Sequence, residues 1–288
     1  MSCIMRKWWA TSRCIIWMCL HRRGMNMRPE PFKKRLAAGS QVGTFVKIDS
    51  PEVIELLGLA GFDFIVIDME HTTLDFAQVE RMVRVADLHG MNSIVRVPDA
   101  SRMSILRAMD LGSAGVQVPQ VYSADEVRDI VDKAKYPPQG SRGLTYAHRA
   151  AGFGHTPLNY TADQNEATTV VVHVETENAY VQLRELCAVK GLDVVFIGPL
   201  DLSVCLGITG TDYIQGELAA PVRSILDTCR TAGKMAGIAV ANAAQYKFAL
   251  EQRIPYIVWA SDVAIFKQAL DGMMQTKHKV ELEYTEEN

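Results

Sequence analysis

The stretch DVVFIGPLDLSVCLG, residues 193–207, contains a strand and a helix with almost nothing between them. Val194, Val195, Phe196 and Ile197 form a continuous apolar run of the kind found in strands covered on both faces. Gly198-Pro199 stops the run. Proline suits the first helical position, where its missing N–H has no intrahelical partner and its fixed φ already matches the helix. Asp201 then falls in the first turn, beside the free N–H groups of Leu200 and Asp201 at the positive end of the helix dipole. A carboxylate so placed can serve as an oxygen ligand to a metal next to donors that hold an anion. It can equally be a plain helix cap.

The same phrase recurs on both sides of this stretch. A helix ends at glycine, an apolar strand follows, and polar residues cluster after it: Gly61 before DFIVIDMEH, Gly90 before NSIVRVP, Gly112 before AGVQVPQ, Gly191 before DVVFIGPLD and Gly233 before MAGIAVAN. Strands at 42–48, 169–174 and 256–259 bring the count to eight. Between them lie segments long enough for helices: 51–60, 76–88, 102–111, 124–134, 180–189, 219–232, 243–252 and 263–273, with one more helix ahead of the first strand at 31–38. Eight βα units in roughly 250 residues, with right-handed crossovers, predict a single-domain parallel (β/α)8 TIM barrel over residues 29–274. The competing doubly wound sheet would carry a glycine-rich phosphate fingerprint after its first strand, and Gly152-Phe153-Gly154 follows no strand. Residues 136–168 break the rhythm as one long loop, from which Arg142, Tyr146 and Arg149 could fold over the barrel mouth. Residues 275–288 read as a polar tail outside the barrel.

Of the 288 residues, 48% are hydrophobic and 22% charged, an ordinary globular balance. Residues 1–28 hold six Lys or Arg and no acid, leaving 24 basic against 33 acidic side chains in the remainder, a balance of −9. That acidic body argues against a nucleic-acid surface. The first 28 residues carry no unbroken apolar stretch of secretory type and no membrane span. They read as a start-site extension, native synthesis beginning at Met25 or Met27, with an organelle transit peptide as the alternative. Six scattered cysteines without a CxxC pair predict reduced thiols in a cytoplasmic protein.

Active sites of such barrels lie at the carboxyl ends of the strands. There the sequence presents Asp68, Glu70 and His71 on strand two, Arg96 on strand three, Gln117 on strand four, His173 and Glu175 on strand five, and Asp201 on strand six. His173 and Glu175 share a face because strand side chains alternate, and two polar groups on one side of an apolar strand belong inside the mouth. Glu175 and Asp201, from adjacent strands, would repel unless a cation sits between them, and carboxylate-only ligation suits Mg²⁺ or Mn²⁺. His71 is placed to carry a proton near neutrality. Arg96 must face negative charge, either a structural carboxylate such as Glu70 or an oxyanion developing on substrate. Lys47, after strand one, reads as a solvated rim residue, and no lysine stands at the inward ends of strands five to seven. A metal held by the carboxylates is therefore preferred over lysine chemistry.

Five ordered motifs resemble the HpcH/HpaI aldolase family: IDMEH at 67–71, VRVP at 95–98, YPPQGSRG at 136–143, HVET at 173–176 and FIGPLDLS at 196–203. The resemblance implies a metal-dependent aldolase that cleaves 4-hydroxy-2-oxo acids or 2-keto-3-deoxy sugar acids to pyruvate and an aldehyde. It implies a divalent cation (Mg²⁺, Mn²⁺ or Co²⁺) held by Glu175 and Asp201, a substrate carboxylate met beside Gly198 by the N–H groups of Leu200 and Asp201, and Arg96 stabilising the enolate oxygen. His71 would move the proton with its basicity raised by Asp110, and the assembly would be a hexamer with exchanged C-terminal helices. Two positions depart from the family pattern: His173 stands where a substrate-contacting glutamine is usual, and Leu200 replaces a smaller alanine. Two other uses of the same site stay open at this stage. One is a lyase acting on oxaloacetate or an acyl-CoA, and the other a non-catalytic barrel that binds a 2-oxo acid.

Overall fold

The computed structural model describes residues 29–286, so the expectations for residues 1–28 lie outside the described residues. Eight strands, β1 (Gln41–Val46), β2 (Phe64–Asp68), β3 (Asn92–Arg96), β4 (Gly115–Val118), β5 (Thr169–Val174), β6 (Val194–Ile197), β7 (Met235–Val240) and β8 (Tyr256–Ser261), close into a barrel in sequence order. Every neighbouring pair is parallel, including β1 with β8. The helices are α1 (Phe32–Ala38), α2 (Pro51–Ala60), α3 (Phe76–Leu88), α4 (Arg102–Asp110), α5 (Ala124–Ala134), α6 (Tyr160–Ala167), α7 (Glu177–Val181), α8 (Leu183–Cys187), α9 (Pro199–Cys205), α10 (Ala219–Thr231), α11 (Ala243–Glu251) and α12 (Asp262–Glu286). The predicted (β/α)8 barrel is the observed fold.

The recurring glycine has a backbone cause. Gly61 (φ 96°) ends α2 in the left-handed region, and Gly191 (φ 93°) turns the chain into β6 in the same way. Ser50, Asp75, Ser101 and Ser123 open α2 to α5 with their side chains accepting from backbone N–H groups, so the starts of these helices are set locally.

Inside the barrel, Phe64, Phe196 and Tyr256 form an aromatic layer, closed from below by Phe32 of α1. Ring centroids are 4.7 Å apart for Phe64 and Tyr256 and 4.8 Å for Phe32 and Phe64. Glycines on the facing strands make room for these rings: a β-carbon at Gly43 would lie 2.6 Å from the Phe64 ring, and one at Gly237 would lie 2.9 Å from Phe196 and Tyr256. Above this apolar layer the inward positions turn polar, at Asp68, Arg96, Gln117, His173 and Glu175, all buried.

Four expectations are corrected. Residues 136–168 are not one loop, for they contain a 3-10 segment (Arg149–Gly154) and α6. The side chains expected over the mouth are engaged elsewhere: Arg149 donates to Leu111 O and pairs with Asp87, Arg142 pairs with Asp110, and Tyr146 packs edge-on against Tyr160. The segment follows α5, so it starts at the opposite end of the barrel and is held there by Lys135, whose buried amine donates to Asn165 O and Thr168 O. The helix expected at 180–189 is two short ones, α7 and α8. Finally, α12 does not stop at residue 273. It runs on through the expected tail, and every residue from Val263 to Thr285 is exposed, so beyond its first turn the helix stands off the barrel.

Candidate active site

The site begins with the end of β2. Asp68, fully buried, receives Arg96 Nε at 2.8 Å and Arg96 Nη2 at 2.6 Å in a two-point pair, and Lys47 Nζ at 2.8 Å. Burial alone would raise its pKa, but hydrogen bonds and charge from Arg96, then Lys47, hold it down at about 2. Its Oδ1 also accepts from the N–H groups of Glu70 and His71 at 3.1 and 3.3 Å. One buried carboxylate thus anchors the arginine of β3, the lysine after β1 and the loop that presents the expected proton carrier. Lys47 is therefore more than a rim residue: it is the second cation on Asp68, and Asp262 fixes its position by accepting from the N–H groups of Lys47 and Ile48.

Arg96 also places Nη1 3.0 Å from Glu70 Oε2 and lies 4.5 Å over the Phe45 ring. Each guanidinium nitrogen meets a carboxylate, and two of its five N–H groups remain for another acceptor. Burial and, less strongly, the charge of Glu175 push Glu70 upward, with Arg96 and His71 opposing. Glu70, His71, Arg96 and Glu175 thus form one electrostatic neighbourhood. The His71 side chain is 57% exposed, with Nε2 3.6 Å from Glu70 Oε2.

Glu175 stands just beyond β5. Its Oε2 accepts from His173 Nδ1 at 2.7 Å and its Oε1 from Gln120 N–H at 2.7 Å. Burial opposes its charge, yet His173, Gln120 and Arg96 together hold its pKa below the ordinary value. Asp201 sits in the first turn of α9, as expected, and is exposed. Gly198 brings the two carboxylates together: a β-carbon there would lie 3.3 Å from Glu175 Oε2 and 3.4 Å from Asp201 Oδ2. A side chain there would crowd Glu175 Oε2 and touch Asp201 Oδ2, so the glycine leaves the space between them open. Among the described residues no group of three or more His, Cys, Asp or Glu is placed to hold a metal by itself. A cation here would be held by a carboxylate pair and completed by oxygens from water and substrate, a donor set that fits Mg²⁺, Mn²⁺ or Co²⁺. Leu200, 64% exposed, precedes Asp201 in the first turn of α9.

Of the expected site residues, one lies elsewhere and one is placed differently from the expectation. Within one chain Asp110 does not meet His71. It closes α4, the helix that leads into β4, and so lies at the opposite end of the barrel from the end of β2, where Arg142 Nη2 binds it at 2.7 Å and His148 Nε2 stands at 3.6 Å. His173, expected to touch substrate, is buried with both ring nitrogens engaged: Nδ1 to Glu175 and Nε2 to Gln117 at 2.6 Å. Two participants were missed. Tyr256, whose O–H donates to Gln117 Oε1 at 2.6 Å, reads in the sequence only as the start of a strand, and Lys47 reads as rim. For Lys47 the signal was available, since it directly follows a barrel strand.

The family described as HpcH/HpaI aldolase/citrate lyase matches residues 41–267. The 2-dehydro-3,6-dideoxy-6-sulfogluconate aldolase of Pseudomonas putida is 34% identical over 81% of this chain and 91% of that protein. The 5-keto-4-deoxy-D-glucarate aldolase of Klebsiella pneumoniae is 32% identical over 84% and 94%. Among solved structures, an HpcH/HpaI aldolase from Desulfitobacterium hafniense superposes with a TM-score of 0.79 at 29% identity, covering 85% of this chain and 95% of that one.

Proposed function

The chain belongs to the HpcH/HpaI aldolase/citrate lyase family, and from that premise we propose that it is a divalent-metal-dependent aldolase that reversibly cleaves a 2-keto-3-deoxy sugar acid, or a related 4-hydroxy-2-oxo acid, to pyruvate and an aldehyde. The observation that carries this reading is the convergence of Glu175 and Asp201 on the space beside Gly198. A divalent cation held there would supply the positive charge that stabilises the pyruvate enolate left when the carbon–carbon bond breaks.

The remaining work falls to the chain's own groups. Arg96, held rigid by Asp68 and Glu70, turns its two spare N–H groups to the oxygen on which charge develops. Free N–H groups at Leu200 and Asp201 hold the substrate carboxylate. His71, exposed at the rim, carries the proton to and from the aldehyde-side hydroxyl, and the carboxylate beside it is Glu70 rather than Asp110. Leu200 narrows the space next to the substrate carboxylate.

The assembly in this reading is a homo-oligomer, a hexamer, in which α12 packs on a neighbouring subunit. Support comes from Phe266, Leu270, Met273 and Met274, all apolar and exposed along a helix that leaves the barrel. Among the described residues no helix is long and apolar enough to cross a membrane, and Cys187, Cys205 and Cys229 are free thiols, which fits a cytoplasmic enzyme.

The test is a panel of aldehydes incubated with pyruvate and Mg²⁺, Mn²⁺ or Co²⁺, with product identified by mass spectrometry and cleaved in reverse. Condensation with polyhydroxylated or acidic aldehydes is expected. Pyruvate binding without turnover across the whole panel would overturn the reading in favour of a binding protein.

A further inference from the structure

Four buried side chains form a single file of hydrogen bonds that crosses the barrel and ends on Glu175. Tyr256 opens β8, Gln117 lies on β4, and His173 and Glu175 follow each other along β5. The first three are at most 1% exposed. Tyr256 O–H donates to Gln117 Oε1 at 2.6 Å, Gln117 Nε2 lies 2.6 Å from His173 Nε2, and His173 Nδ1 lies 2.7 Å from Glu175 Oε2.

The direction of each bond follows from the orientation of the Gln117 amide, whose Oε1 accepts from Tyr256. With Tyr256 O–H donating to Gln117 Oε1, the amide turns its NH₂ to the imidazole. His173 Nε2 is then the acceptor, and the ring proton sits on Nδ1, aimed at Glu175. Burial pushes the Tyr256 phenol well above its ordinary pKa, so the first donor keeps its proton. Without Tyr256, Gln117 could turn by 180° and accept from Nε2–H. The other tautomer of His173 would then face the Glu175 carboxylate with a lone pair and push it away. Ligand carboxylates and the hydrogen bonds that orient them act together on metal affinity.

We propose that Tyr256, Gln117 and His173 are positioning residues that lock His173 as its Nδ1–H tautomer and so hold Glu175 Oε2 toward the space it shares with Asp201, raising the affinity of that site for a divalent cation. The inference rests on the Glu175 and Asp201 site proposed above and extends it to a residue of β8, on the opposite side of the barrel from β4.

The experiment measures Mn²⁺ binding by electron paramagnetic resonance on the full chain, for the wild type, Glu175→Gln, Tyr256→Phe and Gln117→Leu, with ¹⁵N spectra of the histidine rings assigned by His173→Gln. The expected results are Mn²⁺ binding in the wild type, about 100-fold or greater loss in Glu175→Gln, and about 10-fold or greater loss in both Tyr256→Phe and Gln117→Leu. His173 is expected protonated at Nδ1 in the wild type. If Glu175→Gln binds Mn²⁺ as the wild type does, or the wild type does not bind it, the metal site itself is wrong and the inference falls with it. If Glu175→Gln loses binding while Tyr256→Phe and Gln117→Leu stay within twofold of the wild type, the site stands and the relay is overturned. A wild-type His173 protonated at Nε2 alone overturns it directly. Tyr256→Phe keeps the ring in the aromatic layer, and a fall in thermal stability with unchanged Mn²⁺ affinity counts against the proposal.

Discussion

At the scale of single residues, the site is governed by how two buried carboxylates are satisfied. Asp68 has a pKa of about 2 because Arg96 and Lys47 outweigh its burial. Since its folded value lies below the unfolded one, its contribution to stability is complete above about pH 4 and is lost as the pH falls toward 2, amounting to about 2 kcal/mol. Urea denaturation across that window should show the loss in the wild type and a flatter dependence in Asp68→Asn, and identical slopes would contradict the assignment. Arg96 forks Asp68 and touches Glu70 at once, which a single ammonium cannot reproduce. Arg96→Lys should therefore lower kcat/KM for cleavage about 100-fold while the protein still folds. A near-normal rate would remove Arg96 from the chemistry. Both carboxylates and the arginine were visible as polar residues ending apolar strands. The pairing of Asp68 with Lys47 was not, because a lysine after a strand reads as solvated unless its buried partner is known.

At the scale of elements, the eight strands and most helix boundaries follow from two local rules: apolar runs covered on both faces, and glycine at helix ends. Where the reading failed, the missing physics is identifiable. Asp110 was linked to His71 by motif alone. A residue at the C-terminal end of a barrel helix stands at the far end of the barrel from the site, and Arg142 claims it there. The relay from Tyr256 to Glu175 joins residues 139 apart in its first bond, a pairing that only barrel closure brings about. The aromatic layer beneath the site makes its own prediction. Phe64 is clamped between Phe32 and Tyr256, so the β-carbon added by Gly43→Ala has no soft neighbour to displace. That substitution should cost about 1–3 kcal/mol, read as a lower urea midpoint. An unchanged midpoint would mean that the layer is loosely packed.

At the scale of the whole molecule, the barrel is complete, yet its last helix is not used by it beyond Asp262. Residues 263–285 are exposed throughout, and the apolar spacing of Phe266, Leu270 and Met273 suits a partner's surface as well as its own barrel, which is why the sequence could not distinguish the two. Phe266→Asp combined with Leu270→Asp should reduce the assembly to monomers in sedimentation velocity. A monomeric wild type would contradict the oligomer. The account as a whole depends on Glu175 and Asp201 jointly holding a cation that stabilises a pyruvate enolate, and exchange of the pyruvate methyl protons in D₂O, followed by NMR, isolates that step from the unidentified aldehyde. Exchange should be fast with Mn²⁺ or Mg²⁺, abolished by EDTA, restored when metal returns, and absent in Glu175→Gln. Exchange at the full rate in EDTA, or in Glu175→Gln, would contradict it.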